Sequence, residues 1–134
     1  MNDDEMMKEI LSSAKTIASV GLSANEEKVS HWIGVYLQGA GYRVIPVNPT
    51  VKRFLNETSY PDLESIPEKI DVVQIFRRAE DVPPIVESAI KIGAKVIWMQ
   101  EGIVNEEAAQ RAREAGLQVV MDACMRVSHR RLCS

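Results

Sequence analysis

Two rhythms of apolar residues alternate along this chain, one with helical spacing and one in short continuous runs. Residues 4–14 place Met6, Met7, Ile10, Leu11 and Ala14 on one helical face. Residues 16–22 then form a short, mostly apolar strand ending in Gly21-Leu22-Ser23. After a polar loop over 24–28, Trp32, Ile33, Tyr36, Leu37 and Ala40 mark a helix over 30–40, stopped by Gly41. A second strand spans 43–49. Its Pro46 predicts an edge position or a bulge, because proline has no N–H to give a ladder. Residues 50–69 are polar and proline-spaced, and read as a loop with a short helix near 62–66. A third strand over 71–77 leads to a helix capped by Asp81, with Pro83 and Pro84 in its first turn and Gly93 at its end. Strand four covers 95–100. Asn105 caps the next helix, Glu106 and Glu107 favour its dipole, and Ala108, Ala109, Ala112 and Ala115 allow close approach to a sheet before Gly116 closes it. Strand five covers 118–122. Residues 124–132 predict a last short helix with Arg126, Arg130 and Arg131 outward.

Strands alternating with helices predict βαβ units, and so a Rossmann-like, doubly wound α/β fold. The expectation is a parallel five-stranded sheet of order 3-2-1-4-5 with helices on both faces. Its ligand crevice lies outside the C-terminal ends of the strands, beside strand one.

Composition narrows the function. A chain of 134 residues with 46% hydrophobic residues makes one domain, 1–134, with a core that needs no disulfide or metal and with room for one pocket. Lys+Arg 16 against Asp+Glu 19 leaves a net charge of -3, which argues against general nucleic-acid binding. Apolar runs stay far below the ~18 residues of a membrane span. The acidic residues 1–5 do not read as a signal peptide. Cys124 and Cys133 make no disulfide framework or zinc spacing, and a cytoplasmic location is expected.

The strand ends gather the candidate chemistry. Gly21-Leu22-Ser23 runs into a helix N-terminus, a phosphate-type position where Lys28 and Ser30 add charge and a hydroxyl. The dinucleotide pattern G-x-G-x-x-G is absent, since Ser23 and Glu26 hold the later glycine places, and an ordinary polar loop is the alternative. Strand two ends in Asn48-Pro49-Thr50, followed by Lys52 and Arg53. A ribose-binding carboxylate is missing there, and positive charge suits a ribose phosphate, as in NADP or coenzyme A. Phe76 beside Arg77 and Arg78 could stack on adenine and reach phosphates, or Phe76 could sit in the core with Arg78 paired to Glu80 or Asp81. Gln100-Glu101-Gly102 completes the rim. Catalytic groups are scarce. His31 and His129 have no evident partner, Cys124 reads as a buried thiol before a reactive one, and Trp32 and Trp98 read as core.

The fragments 17–23, 42–49, 71–78, 93–100, 102–109 and 116–124 together resemble the small stand-alone CoA-binding domain proteins. These are similar to the N-terminal CoA-binding domain of the succinyl-CoA synthetase alpha subunit. The resemblance implies a Rossmann-like fold binding coenzyme A across the strand ends. It places Gly21, Leu22, Ser23, Lys28 and Ser30 at the phosphates, and Asn48, Pro49 and Lys52 at the ribose phosphate. Phe76 and Arg77 would flank the adenine, with Gln100, Glu101 and Gly102 toward the pantetheine arm. Glu26 and Val29 stand where family members often carry prolines. The expected function is a non-catalytic carrier, sensor or accessory module for CoA or an acyl-CoA, with a partner enzyme possible. An NADP-binding reductase and a thiol-redox module using Cys124 with CoA are the alternatives.

Overall fold

The computed structural model describes residues 3–133. Its strands are β1 (Thr16–Val20), β2 (Arg43–Val47), a small hairpin of β3 (Arg53–Phe54) and β4 (Glu57–Thr58), β5 (Val72–Ile75), β6 (Val96–Met99) and β7 (Gln118–Val120). The helices are α1 (Asp3–Ser13), α2 (Val29–Gly39), α3 (Val82–Ile92), α4 (Glu106–Glu114) and α5 (Met125–Cys133). Single 3-10 turns at Leu63–Ser65 and Ala79–Asp81 interrupt the connections.

All five long strands are parallel, and both faces of their sheet are covered, which is why they read as near-continuous apolar runs. Ala18, Val20, Val73, Ile75 and Ile97 face α3 and α4, where Val82, Val86, Ala109 and Ala112 close one core. Ile17, Val44, Val72 and Trp98 point the other way, onto Ile10, Leu11, Ile33, Leu37 and Met125 of α1, α2 and α5. The expected Rossmann-like α/β class is therefore the one observed.

The order of the sheet is β2-β1-β5-β6-β7. Counting only its own strands this is 2-1-3-4-5, so the expected 3-2-1-4-5 is corrected: strand three lies beside strand one, not outside strand two. Pro46 shows why. Its carbonyl faces away from β1 and accepts from the N–H of Tyr60 at 3.0 Å, so its missing donor also lies on the outer side. An outer neighbour strand would find a gap there. The chain instead lays Tyr60 along that edge as a single parallel bridge to Val47, and the Asn48 N–H donates to the Tyr60 carbonyl at 2.9 Å.

Three local expectations also change. Asp81 does precede α3, but its carboxylate makes no capping bond and takes the Arg78 guanidinium at 3.4 Å instead. Trp98 is fully buried, whereas Trp32 is 45% exposed. Arg126 is half-buried, not outward. At the opposite end of the sheet, the Asp71 carboxylate accepts from the N–H groups of Lys15 (2.9 Å) and Thr16 (3.1 Å) and lies 3.6 Å from Lys95 Nζ. Burial works to raise its pKa, but these bonds and the ammonium outweigh it and hold the carboxyl below the usual range.

Candidate functional site

In a doubly wound sheet the crevice opens where consecutive connections leave in opposite directions. Here that point lies between β1, whose chain continues to α2 on one face, and β5, whose chain continues to α3 on the other. Gly21 sits at its centre with φ +91°. Its N–H donates to the Val47 carbonyl at 2.9 Å. A Cβ at this position would lie 3.0 Å from the Phe76 carbonyl oxygen and 3.2 Å from Arg77 Nε. Only glycine allows both this backbone conformation and this approach of the first turn to the end of β5.

The following loop is braced by α2. Ser23 N–H donates to Ser30 Oγ (3.1 Å), His31 Nδ1 pairs with the Ser23 carbonyl (3.0 Å), and Trp32 Nε1 donates to the Glu26 carbonyl (2.7 Å). From the other side Asn48 Nδ2 donates to the Leu22 carbonyl (3.2 Å), while its Oδ1 accepts from the N–H and hydroxyl of Thr50. Asn48 thus ties the first and second strand ends together. Leu22 is fully buried and offers only its backbone. Lys28 stands at the N-cap of α2 without a side-chain capping bond, so the first N–H groups of that helix carry no side-chain cap.

Two pockets flank the Gly21–Phe76 contact. One, of about 360 Å³, lies toward α3 and is lined by Val20, Val47, Pro49, Asp62, Arg77 and Ile85, among others. The other, of about 240 Å³, lies toward α2 and α5 and is lined by Val29, Phe76, Gln100, Glu101, Cys124 and Arg126, with further apolar side chains. Just past the end of β5, Arg77 lines the first of these pockets and Phe76 the second. Lys52 is exposed and belongs to neither lining, and Glu101 and Gly102 are exposed. Gly102, with φ +85°, has its N–H held by Asp122 Oδ1 at 2.7 Å.

A buried polar seam runs beneath the smaller pocket. Ser19 Oγ donates to Gln74 Oε1 (2.8 Å), Gln74 Nε2 donates to Gln100 Oε1 (3.1 Å), and that same oxygen accepts the Met125 N–H at the start of α5 (3.0 Å). Strands β1, β5 and β6 and helix α5 are locked in register at the site. Asp62, Ile85, Val29 and Arg126 also line these pockets, although none of them stands among the rim residues expected from the sequence. Of these, Arg126 follows the end of β7 by six residues, and that nearness to a strand end is the signal in the sequence that points to it. Among the described residues, no group of His, Cys, Asp and Glu side chains could hold a metal ion, and no helix is long and apolar enough to cross a membrane.

Comparison with known proteins matches residues 15–130 to a family described as a CoA binding domain. The uncharacterized protein YneT of Bacillus subtilis (strain 168) is 44% identical over 123 residues, covering 92% of this chain and 91% of that one. A hypothetical protein from Pyrococcus horikoshii OT3, of solved structure, superposes with a TM-score of 0.95 at 42% identity, covering 99% of this chain and 94% of the other. An Archaeoglobus fulgidus acetate–CoA ligase (ADP-forming) is 28% identical over 121 residues, which span 83% of this chain but 18% of the ligase.

Proposed function

The chain belongs to this family of CoA binding domains, and we propose that it binds coenzyme A or an acyl-CoA across the crevice between β1 and β5. In this reading it acts as a carrier, sensor or accessory module for a partner enzyme, without chemistry of its own. The observation that carries the proposal is the Gly21 turn. It passes against the backbone of Phe76, runs into the uncapped start of α2, and has a pocket on either side. Free N–H groups and a helix dipole at that point favour the ligand's phosphates, with Ser23, Lys28 and Ser30 contributing there. The larger pocket, with Arg77 and Pro49, suits the adenosine end, and the exposed Lys52 can reach toward the ribose phosphate. Phe76, Gln100, Glu101 and Gly102 border the path of the pantetheine arm. The acetate–CoA ligase reaction is not carried over, since the match spans a small part of that protein.

Calorimetric titration with CoA, NADP and NAD tests the proposal. CoA is expected to bind most tightly, and Lys28→Ala and Lys52→Ala to weaken it more at low salt than at high, as screened contacts do. Absence of heat with CoA at millimolar concentration, or preference for NADP, would overturn it.

A further inference from the structure

The β7 edge of the sheet is open. Gln118 N–H donates to the Lys95 carbonyl at 3.0 Å and Asp122 N–H to the Ile103 carbonyl at 3.2 Å, both on the β6 side. Strand alternation then gives Val120 to β6 and turns the N–H and C=O of Val119 and Met121 away from it. Among the described residues these outward groups have no hydrogen-bond partner. Val119 and Met121 line a groove of about 500 Å³, bordered by Met6, Met7 and Val127 of α1 and α5 and by Arg113 of α4. Val127 is 51% exposed. Neither a charge nor a proline interrupts Val119-Val120-Met121.

Helix α4 shows what this edge accepts. Its side toward α3 is taken up, with Arg111 donating to the Glu87 carboxylate at 2.8 and 3.2 Å. Glu106 and Arg113 stand seven residues apart, about two turns, and so share another side of the helix. Both are exposed, and neither has an ion pair among the described residues. A helix with a free acid at its start and a free base at its end, beside an open strand, is complementary to an antiparallel copy of itself. We propose that the β7 edge docks a second copy of this chain about a two-fold axis at Val120. In that register Val119 lies opposite the second copy's Met121, where an antiparallel pair exchanges both its N–H···O bonds, and the symmetric pair repeats the exchange. The two α4 helices then run antiparallel, with Glu106 of each beside Arg113 of the other. Met6 and Val127 are covered on the opposite face of the joined sheet. An extended peptide of foreign sequence would satisfy the strand but not both charges. The inference does not rest on the CoA reading.

Sedimentation of the full chain from micromolar to millimolar concentration tests it. The expected mass is twice that of one chain, falling toward one chain on dilution. Arg113→Glu or Glu106→Arg alone sets like charges opposite each other at both ends of the helix pair, and each should weaken association about tenfold or more. Combining the two substitutions exchanges the charges and should restore most of the affinity, which separates a lost contact from a damaged fold. In hydrogen exchange, the Val119 and Met121 amides should gain protection as concentration rises, well beyond any change at Val120, which already bonds to β6. A single-chain mass at millimolar concentration would overturn the inference and leave this edge to a peptide partner or to none. A pair that survives both single reversals, or that the combined variant fails to restore, would overturn it too, since either result places the contact elsewhere.

Discussion

Helix α2 contains two glycines, Gly34 and Gly39, and the same substitution at each should change stability in opposite directions. In a helix, alanine is favoured over glycine by about 0.8–1.0 kcal/mol, and somewhat less at a terminus. Gly39 ends α2 with nothing within 4 Å of a would-be Cβ. Gly39→Ala should therefore stabilise by about 0.5 kcal/mol. At Gly34 the Cβ would come within 2.6 Å of Leu22 Cδ1 and 2.9 Å of Phe54 Cζ. Neither neighbour can retreat easily, with Leu22 at 0% exposure and Phe54 at 2%. Overpacking of this kind costs about 1–3 kcal/mol, which exceeds the helical gain. The expected net result is a loss of about 1 kcal/mol, read as a lower urea midpoint at unchanged slope. Because Leu22 belongs to the first turn, Gly34→Ala should also weaken CoA binding, whereas Gly39→Ala should not. A Gly34→Ala protein more stable than the parent would refute the reasoning, since it would mean that Leu22 and Phe54 repack freely and do not set the distance of α2 from the sheet.

Two further outcomes follow from polar contacts. The Asp71 carboxyl is held below its usual value of 3.8, so its contribution is present above about pH 4 and is lost as pH falls through the lower folded value. Asp71→Asn should lower the melting temperature at pH 7 and flatten its decline below about pH 4; an unchanged acid limb would contradict this. Gln74→Met should cost about 1–3 kcal/mol by stranding the buried Ser19 hydroxyl, and adding Ser19→Ala should recover part of it in chemical denaturation. Strict additivity of the two losses would refute the seam as a coupled unit.

The elements were legible because each strand is buried on both faces and each helix on one, so the apolar pattern reports them directly. Their neighbours were not. Periodicity says nothing about which side of β1 the third long strand takes; the clue in the sequence is Pro46, whose missing donor marks β2 as an edge. The β3–β4 hairpin escaped because two-residue strands have no period to read. Trp32 fits the helical stripe, yet its indole N–H reaches the Glu26 carbonyl, and this draws the ring over the loop instead of into the core. Strand ends correctly gathered Gly21, Asn48, Arg77 and Gln100 near one rim. Which atoms of these side chains are already engaged depends on contacts between residues far apart in sequence. Asn48 and Gln100 look alike in a sequence, but the Asn48 amide is taken up on both sides while the Gln100 amide keeps its donors.

The covering of β2 has a consequence for how copies of this protein can meet. With Pro46 lacking a donor and Tyr60 lying along the outer side, that border of the sheet cannot serve as a template for added strands. Growth by strand pairing is left to the β7 border alone, where β7 has one partner, β6, among the described residues. Two copies joined there would turn their capped borders outward, and a surface of that kind ends in a closed pair rather than an open-ended fibre.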